Sequence, residues 1–187
     1  MSDLGVIVAQ IRRAQGLAGE NRLPPVEAWN PEVCGDIDLR IRADGAWWHD
    51  GVRISREPLV RLFSTILRKD ADGVTYLVTP GEKVIVHVED APFLAVRVDR
   101  AEVGAASVLV FTTNVGDVIA AGPAHPIRVA TDPVTGAPRP YVLVRGRLEA
   151  RITRAAFYDL VAMAHEVDGR LIVESGEVSF DLGAVAP

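Results

Sequence analysis

Two stretches decide the fold: Ile54-Ser55-Arg56-Glu57-Pro58-Leu59-Val60-Arg61-Leu62-Phe63 and Ile152-Thr153-Arg154-Ala155-Ala156-Phe157-Tyr158-Asp159-Leu160-Val161. Each begins with a hydroxyl residue suited to cap a helix, then an arginine. Apolar side chains follow at helical spacing: Leu59, Leu62 and Phe63 in one, Phe157, Leu160 and Val161 in the other. A glycine-containing hairpin precedes each stretch. An Asp-Gly turn (Asp72-Gly73, Asp168-Gly169), a strand, a Gly-Glu turn (Gly81-Glu82, Gly176-Glu177) and a second strand follow. Any capped amphipathic helix would account for part of this match. The shared arginine and the shared turns at similar offsets indicate more: a duplicated strand–helix–hairpin unit, at about residues 36–90 and 108–182. The expected class is α+β, with two small lobes whose mixed or antiparallel sheets carry a helix on one face. The expected division is an N-terminal helix and extended arm over 1–35, a first lobe over 36–100 and a second over 101–187.

Outward from the first stretch, Ile37, Leu39 and Ile41 alternate with Asp38, Arg40 and Arg42, the pattern of a strand with one buried face. Asp44-Gly45 and Asp50-Gly51 predict tight turns, with short strands at 46–49 and 52–54. Trp47 and Trp48 then point to opposite faces, so one belongs in the core. Ser55 is the expected cap of a helix at about 56–68, with Pro58 in its first turn. Strands are expected at 74–79, 82–89 and 93–99, then near 107–113, 127–131, 140–145, 147–151, 170–174 and 177–182. Before all of these, Asp3 is the expected cap of a helix over about 4–17 that ends at Gly16 and Gly19. Residues 18–35 read as an extended arm that Trp29 plugs onto the body.

The chain has 187 residues and is 49% hydrophobic, enough for a sizeable core without a disulfide or metal staple. A net charge of −5 and 6% aromatic content argue against a general nucleic-acid binder. The lone cysteine, Cys34, excludes an internal disulfide and points to a reducing compartment. There is neither a signal-like start nor an apolar run of about 18 residues, so the expected location is the cytoplasm, with no membrane span. Phosphate-binding glycine loops and serine-hydrolase elbows are missing, and His49, His87, His125 and His165 are dispersed.

Several polar positions are candidates for a site. Asp36, Asp38 and Arg40 share a strand face by the two-residue period. Either Asp36 caps a turn and Asp38 pairs with Arg40, or the three bind a ligand; two carboxylates are too few for a divalent metal. Lys83, one of two lysines among 20 basic residues, is either an exposed hairpin residue beside Glu82 or a point charge for an anion. Arg56 and Arg154 sit against the helix dipole, which suggests partners elsewhere. Arg139-Pro140-Tyr141 can present a guanidinium and a phenol, and Asn114 either closes a turn or meets a ligand. No residue is expected to be catalytic, and no cofactor is specified.

The runs Cys34-Gly35-Asp36-Ile37-Asp38-Leu39-Arg40-Ile41, Ile54 to Phe63, Tyr76-Leu77-Val78-Thr79-Pro80 and Val88-Glu89-Asp90-Ala91-Pro92-Phe93 resemble the uncharacterised bacterial family catalogued as domain of unknown function 1285. The resemblance is dense over 24–93 and looser beyond. It implies a duplicated core whose second domain is superficially pleckstrin-homology-like. It also implies a small-ligand site between the domains, nucleotides being among the candidates, and a link to signalling. It supplies no established activity.

The leading expectation is therefore a non-catalytic module that holds a small anionic molecule, such as a nucleotide, between the lobes. Arg40, Arg56, Lys83 and Arg139 would supply charge, and Asp36, Asp38, Glu82, Asn114 and Tyr141 would orient polar edges. A protein-interaction scaffold that offers a sheet edge to a partner is the rival reading. An enzyme with an acid–base pair at the lobe interface is third.

Overall fold

A computed structural model of the chain describes residues 5–10, 23–104 and 106–185. Asp3, Gly16, Gly19 and the Cys34 side chain, each part of an expectation above, lie outside the described residues. The chain separates into two compact units, one of Met1–Ala91 with Gly146–Leu148 and one of Pro92–Arg145 with Glu149–Pro187.

In the first unit, residues 5–10 are the described part of α1, with Ile7 wholly buried. A short 3-10 turn at Val26–Ala28 interrupts the arm. The body runs β1 (Val33–Ile41), β2 (Trp47–His49), β3 (Val52–Arg53), α2 (Glu57–Ser64), β4 (Leu67–Lys69), β5 (Thr75–Val78) and β6 (Lys83–Val88). These strands form one six-stranded sheet in the order β3-β2-β1-β6-β5-β4, with β1 and β6 parallel. The alternation of β1 holds at Leu39 and Ile41, which are buried alongside Trp47, Phe63, Leu67, Leu77 and Val84, but not at Ile37, which a bulge leaves half-buried. Each such side chain contributes roughly 1.5–3 kcal/mol by leaving water. Of the tryptophan pair, Trp47 is the core member and stacks on Phe63 at 6.1 Å, while Trp48 is half-buried on the other face.

The second unit runs β7 (Phe93–Val103), β8 (Ala106–Thr113), β9 (Val118–Ala120), β10 (Ile127–Thr131), β11 (Pro138–Arg145), β12 (Leu148–Ile152), α3 (Arg154–Ala162), β13 (His165–Val167), β14 (Arg170–Ser175) and β15 (Val178–Ala184). Its six-stranded sheet has the order β10-β11-β12-β7-β8-β9, and β13-β14-β15 form a separate three-stranded sheet. The buried Ser175 joins the two sheets: its hydroxyl donates to the Ala121 carbonyl at 2.7 Å and accepts from the Leu109 amide at 2.9 Å. β7 runs through residue 100, so the expected break at 100/101 falls inside a strand.

The helix expected to open on Ser55 is capped instead by Arg56, without a side-chain cap bond. Pro58 gives the reason. A Ser55 cap would draw on the amide three residues on, and proline has no N–H to give. The same helix ends at Ser64, short of the expected 68. The hydroxyls of Ser64 and Thr65 donate back to the carbonyls of Arg61 and Leu62, both at 2.7 Å, and β-branched Ile66 follows. Each helix therefore leads into three strands, not a two-strand hairpin, because β4 and β13 come first. The arm's plug is Val26, which is buried; Trp29 is half-buried.

Candidate functional site

The outer face of the first unit's sheet holds its polar side chains. Cross-strand register sets Arg53 opposite Trp48, Trp48 opposite Arg40, and Arg40 opposite His87, a row across β3, β2, β1 and β6. The Arg42 guanidinium lies 3.9 Å over the Trp48 ring, a stacking that desolvates one face of both.

Beside this row β1 is bulged. Asp36 pairs with Ile85 and Leu39 with the next residue, Val86, so Ile37 and Asp38 are extra. Asp38 takes a left-handed φ of 49° inside a strand, where a residue with a Cβ is strained. Three contacts hold it there. The Asp38 amide donates to Asp36 Oδ1 at 2.8 Å, His87 Nε2 meets Asp36 Oδ2 at 2.5 Å, and Arg40 Nε donates to Asp38 Oδ1 at 2.6 Å. The hydrogen bond to His87 is the main cause that holds the Asp36 carboxyl below its ordinary range. Burial opposes it, and the Asp38 amide and the charges of His87 and Arg40 reinforce it. Both readings of the cluster's local chemistry, a turn cap at Asp36 and an Asp38–Arg40 pair, are realised. The site stays open to solvent, with the Arg40 side chain 53% and His87 42% exposed.

The other half of the same face is covered. Arg68 on β4 is 7% exposed, and its Nη1 donates to the carbonyls of Val26 and Trp29, each at 2.6 Å, which ties the arm down. Its other nitrogens grip Asp70, which also takes Lys83 Nζ at 2.8 Å. Burial alone would raise the Asp70 pKa, but Arg68 and Lys83 outweigh it and hold the carboxyl below its usual range. Lys83 further lies 4.3 Å over the Tyr76 ring, whose hydroxyl donates to Asp72. Burial, helped by Asp72, pushes that phenol up.

Of the expected site residues, Asp36, Asp38 and Arg40 come together. Lys83 belongs to the Asp70 cluster beneath the arm and is not the exposed hairpin residue of the simpler reading. Glu82 is buried, and its carboxylate accepts from Gln10 at 3.2 Å. Arg56 is an exposed helix cap. The remaining three fall in the second unit. Asn114 Oδ1 accepts from the Leu94 amide at 3.0 Å, Arg139 faces Asp132 at 3.8 Å, and the buried Tyr141 lies under Arg128 at 4.2 Å. His87 and Arg53 join the candidate site only through the register, and Arg42 only through its stacking on Trp48. His87 had one signal, its alternation with buried Val84 and Val86. Its partner Asp36, however, lies 51 residues earlier. Among the described residues no helix is long and apolar enough to cross a membrane.

Fold and surface together define a two-unit α+β protein whose first unit bears an open polar sheet face. The chain belongs to the DUF1285 family, a family of unknown function: the N-terminal domain matches residues 24–91 and the C-terminal domain residues 92–182. The two matches meet where the compact units divide. A crystal structure of a DUF1285 family protein from Silicibacter pomeroyi DSS-3 is similar at 46% identity and a TM-score of 0.84, over 96% of this chain and 95% of that one. Another, from Shewanella baltica OS155, is similar at 28% identity and a TM-score of 0.52, over 66% of this chain and 90% of that one. Among curated proteins none matches.

Proposed function

We propose that the chain is a non-catalytic binding module for a small anionic molecule, seated on the open half of the first unit's outer sheet face and serving a sensory role in the bacterial cytoplasm. The observation that carries the reading is the row in which Arg40 stands opposite both Trp48 and His87, with Arg42 stacked on the same indole. Arg40 spends its Nε on Asp38, which directs the rest of its planar fork outward, the geometry that suits a carboxylate or phosphate. Arg53 extends the positive row. Lys83 and Arg139, by contrast, already face acids of their own units. The same proposal takes the strand–helix–meander order of the two units as one duplicated segment.

Melting curves across a panel of sulfate, phosphate, dicarboxylates and nucleoside phosphates test the reading. A bound anion at 100 times its Kd adds about 2.7 kcal/mol to stability. The Arg40→Ala variant is expected to lose that gain while its unliganded melting point stays close to the wild type's. A flat response across the panel would remove the proposal.

A further inference from the structure

The contacts at the β1 bulge form one continuous chain from a titratable ring to the arginine of the proposed site. His87 holds one oxygen of Asp36, the other oxygen of Asp36 holds the Asp38 amide, and the Asp38 carboxylate holds Arg40 Nε. The middle link is the strained one. Asp38 at φ 49° stands in the left-handed region, which a residue with a Cβ does not take inside an ordinary strand. That conformation needs its amide acceptor on Asp36 to persist.

The charged and titratable groups on this face around His87 come from every neighbouring strand: Arg42 stacks on Trp48, Arg53 stands opposite Trp48, and Glu89, two residues past His87, accepts from the Ala43 amide. β1 contributes Asp36, Asp38 and Arg40. Its own strand contributes Lys83, already joined to Asp70. Beyond it, β5 contributes Tyr76, whose hydroxyl is bonded to Asp72. Histidine is the side chain that ordinarily changes charge between about pH 5 and 8.

We infer that the Asp36–His87 pair is a pH-operated latch that sets the bearing of Arg40, so that anions bind more tightly when His87 is charged. The inference deepens the anion-binding reading: its geometry stands without that reading, and its functional consequence rests on it. Charged, the ring makes a bond to Asp36 roughly twice as strong as a neutral one, and it places a second cation directly across from Arg40. As pH rises and the charge is lost, Asp36 is held less firmly. The bulge then relaxes, and Arg40 loses its fixed direction.

Two measurements on the full chain test it. First, the Asp38 amide and the His87 ring are followed by NMR from pH 5 to 8 without ligand. The amide is expected to track the ring's midpoint and to go flat in His87→Gln, or in Asp36→Asn should the first variant fold poorly. A flat Asp38 amide in the wild type while His87 titrates would overturn the latch. Second, affinity is measured for sulfate, whose own charge is constant over this range. It is expected to be about fivefold tighter near pH 5.5 than near pH 8 in the wild type and pH-independent in His87→Gln. Sulfate that binds equally at both pH values would leave the anion site standing and overturn the latch's effect on it. Failure to bind sulfate at either pH, with Asp38 still tracking His87, would sink the anion reading and leave the latch in place.

Discussion

The openings of α2 and α3 read almost alike, yet they are built differently. Thr153 caps α3, its hydroxyl accepting from the Ala156 amide at 3.4 Å, whereas Ser55 caps nothing and Arg56 stands at the start of α2. The residue that separates them is Pro58 against Ala156, the third position after the hydroxyl. The strands that follow also diverge. β4, β5 and β6 complete a six-stranded sheet because β6 finds β1 as a parallel neighbour, while β13, β14 and β15 stay a sheet of three. In the second unit the parallel place beside the first strand, β7, belongs to β12, which precedes the helix. Like local phrases thus yield like elements, and the distant partner decides the sheet.

The sharpest break in that comparison lies one strand past each helix. Arg68 on β4 and Glu166 on β13 hold corresponding places, the middle of a three-residue strand directly after the helix. Arg68 is buried and serves Asp70 and two arm carbonyls at once, while Glu166 is exposed. Arg68→Ala should destabilise the first unit by about 3 kcal/mol, since it takes one of two cations from the largely buried Asp70, leaving Lys83 alone on it, and removes the guanidinium that ties down the Val26 and Trp29 carbonyls. Glu166→Ala should stay within about 0.5 kcal/mol of the wild type. Urea titrations of the two variants measure both. Equal, small effects would mean that the arm does not depend on Arg68.

This contrast also marks what could be read in advance. The Leu39-Ile41 end of the β1 alternation, the opposite facing of Trp47 and Trp48 and the Asp-Gly turns are local chemistry, and all three appear in the structure, whereas Ile37 falls in the bulge and is half-buried. Asp50-Gly51 and Asp168-Gly169 even take the paired positive φ values of two-residue hairpin turns. β4, β9 and β13 are not legible because three residues are too few to show a period and no pair of Asp-Gly turns brackets them as Asp44-Gly45 and Asp50-Gly51 bracket β2. The site divides in the same way. Asp36, Asp38 and Arg40 are neighbours in sequence and were found together. His87 and Arg53 join them only through strand pairing. What Arg68 recognises at Val26 and Trp29 is backbone carbonyl, which every residue carries and no residue type announces.

A smaller effect follows at the caps themselves. Thr153→Ala removes the acceptor for the Ala156 amide and should cost about 1 kcal/mol. Ser55→Ala should cost almost nothing, because no cap bond is lost. Thermal melts of the two single variants read the difference directly. A loss of similar size at Ser55 would show that its hydroxyl supports α2 by a contact other than a cap, and the Pro58 explanation would fall.

The smallest expected difference is in acid. Asp36 and Asp70 in the first unit, and Asp132 and Asp181 in the second, all have carboxyls held below the ordinary value of 3.8. A group depressed on folding contributes stability that is fully present above its unfolded pKa and is lost as pH falls through its folded one. Through these four carboxyls both units should therefore weaken below about pH 4. They differ in what protonation releases. Asp132 steadies an exposed turn through the Thr135 amide, and Asp181 on β15 holds the exposed Arg170 and the Gly183 amide, whereas Asp70 is the shared partner of Arg68 and Lys83, and the arm hangs on Arg68. The first unit should loosen first. Trp29, Trp47 and Trp48, the chain's three tryptophans, all lie in that unit, so indole fluorescence reports it alone. In an acid titration the fluorescence change should precede the loss of strand signal in circular dichroism. In Asp70→Asn, already weaker at neutral pH, that lead should shrink. Coincident transitions in the wild type would mean that Asp70 is no more acid-sensitive a joint than Asp132 and Asp181 in the second unit.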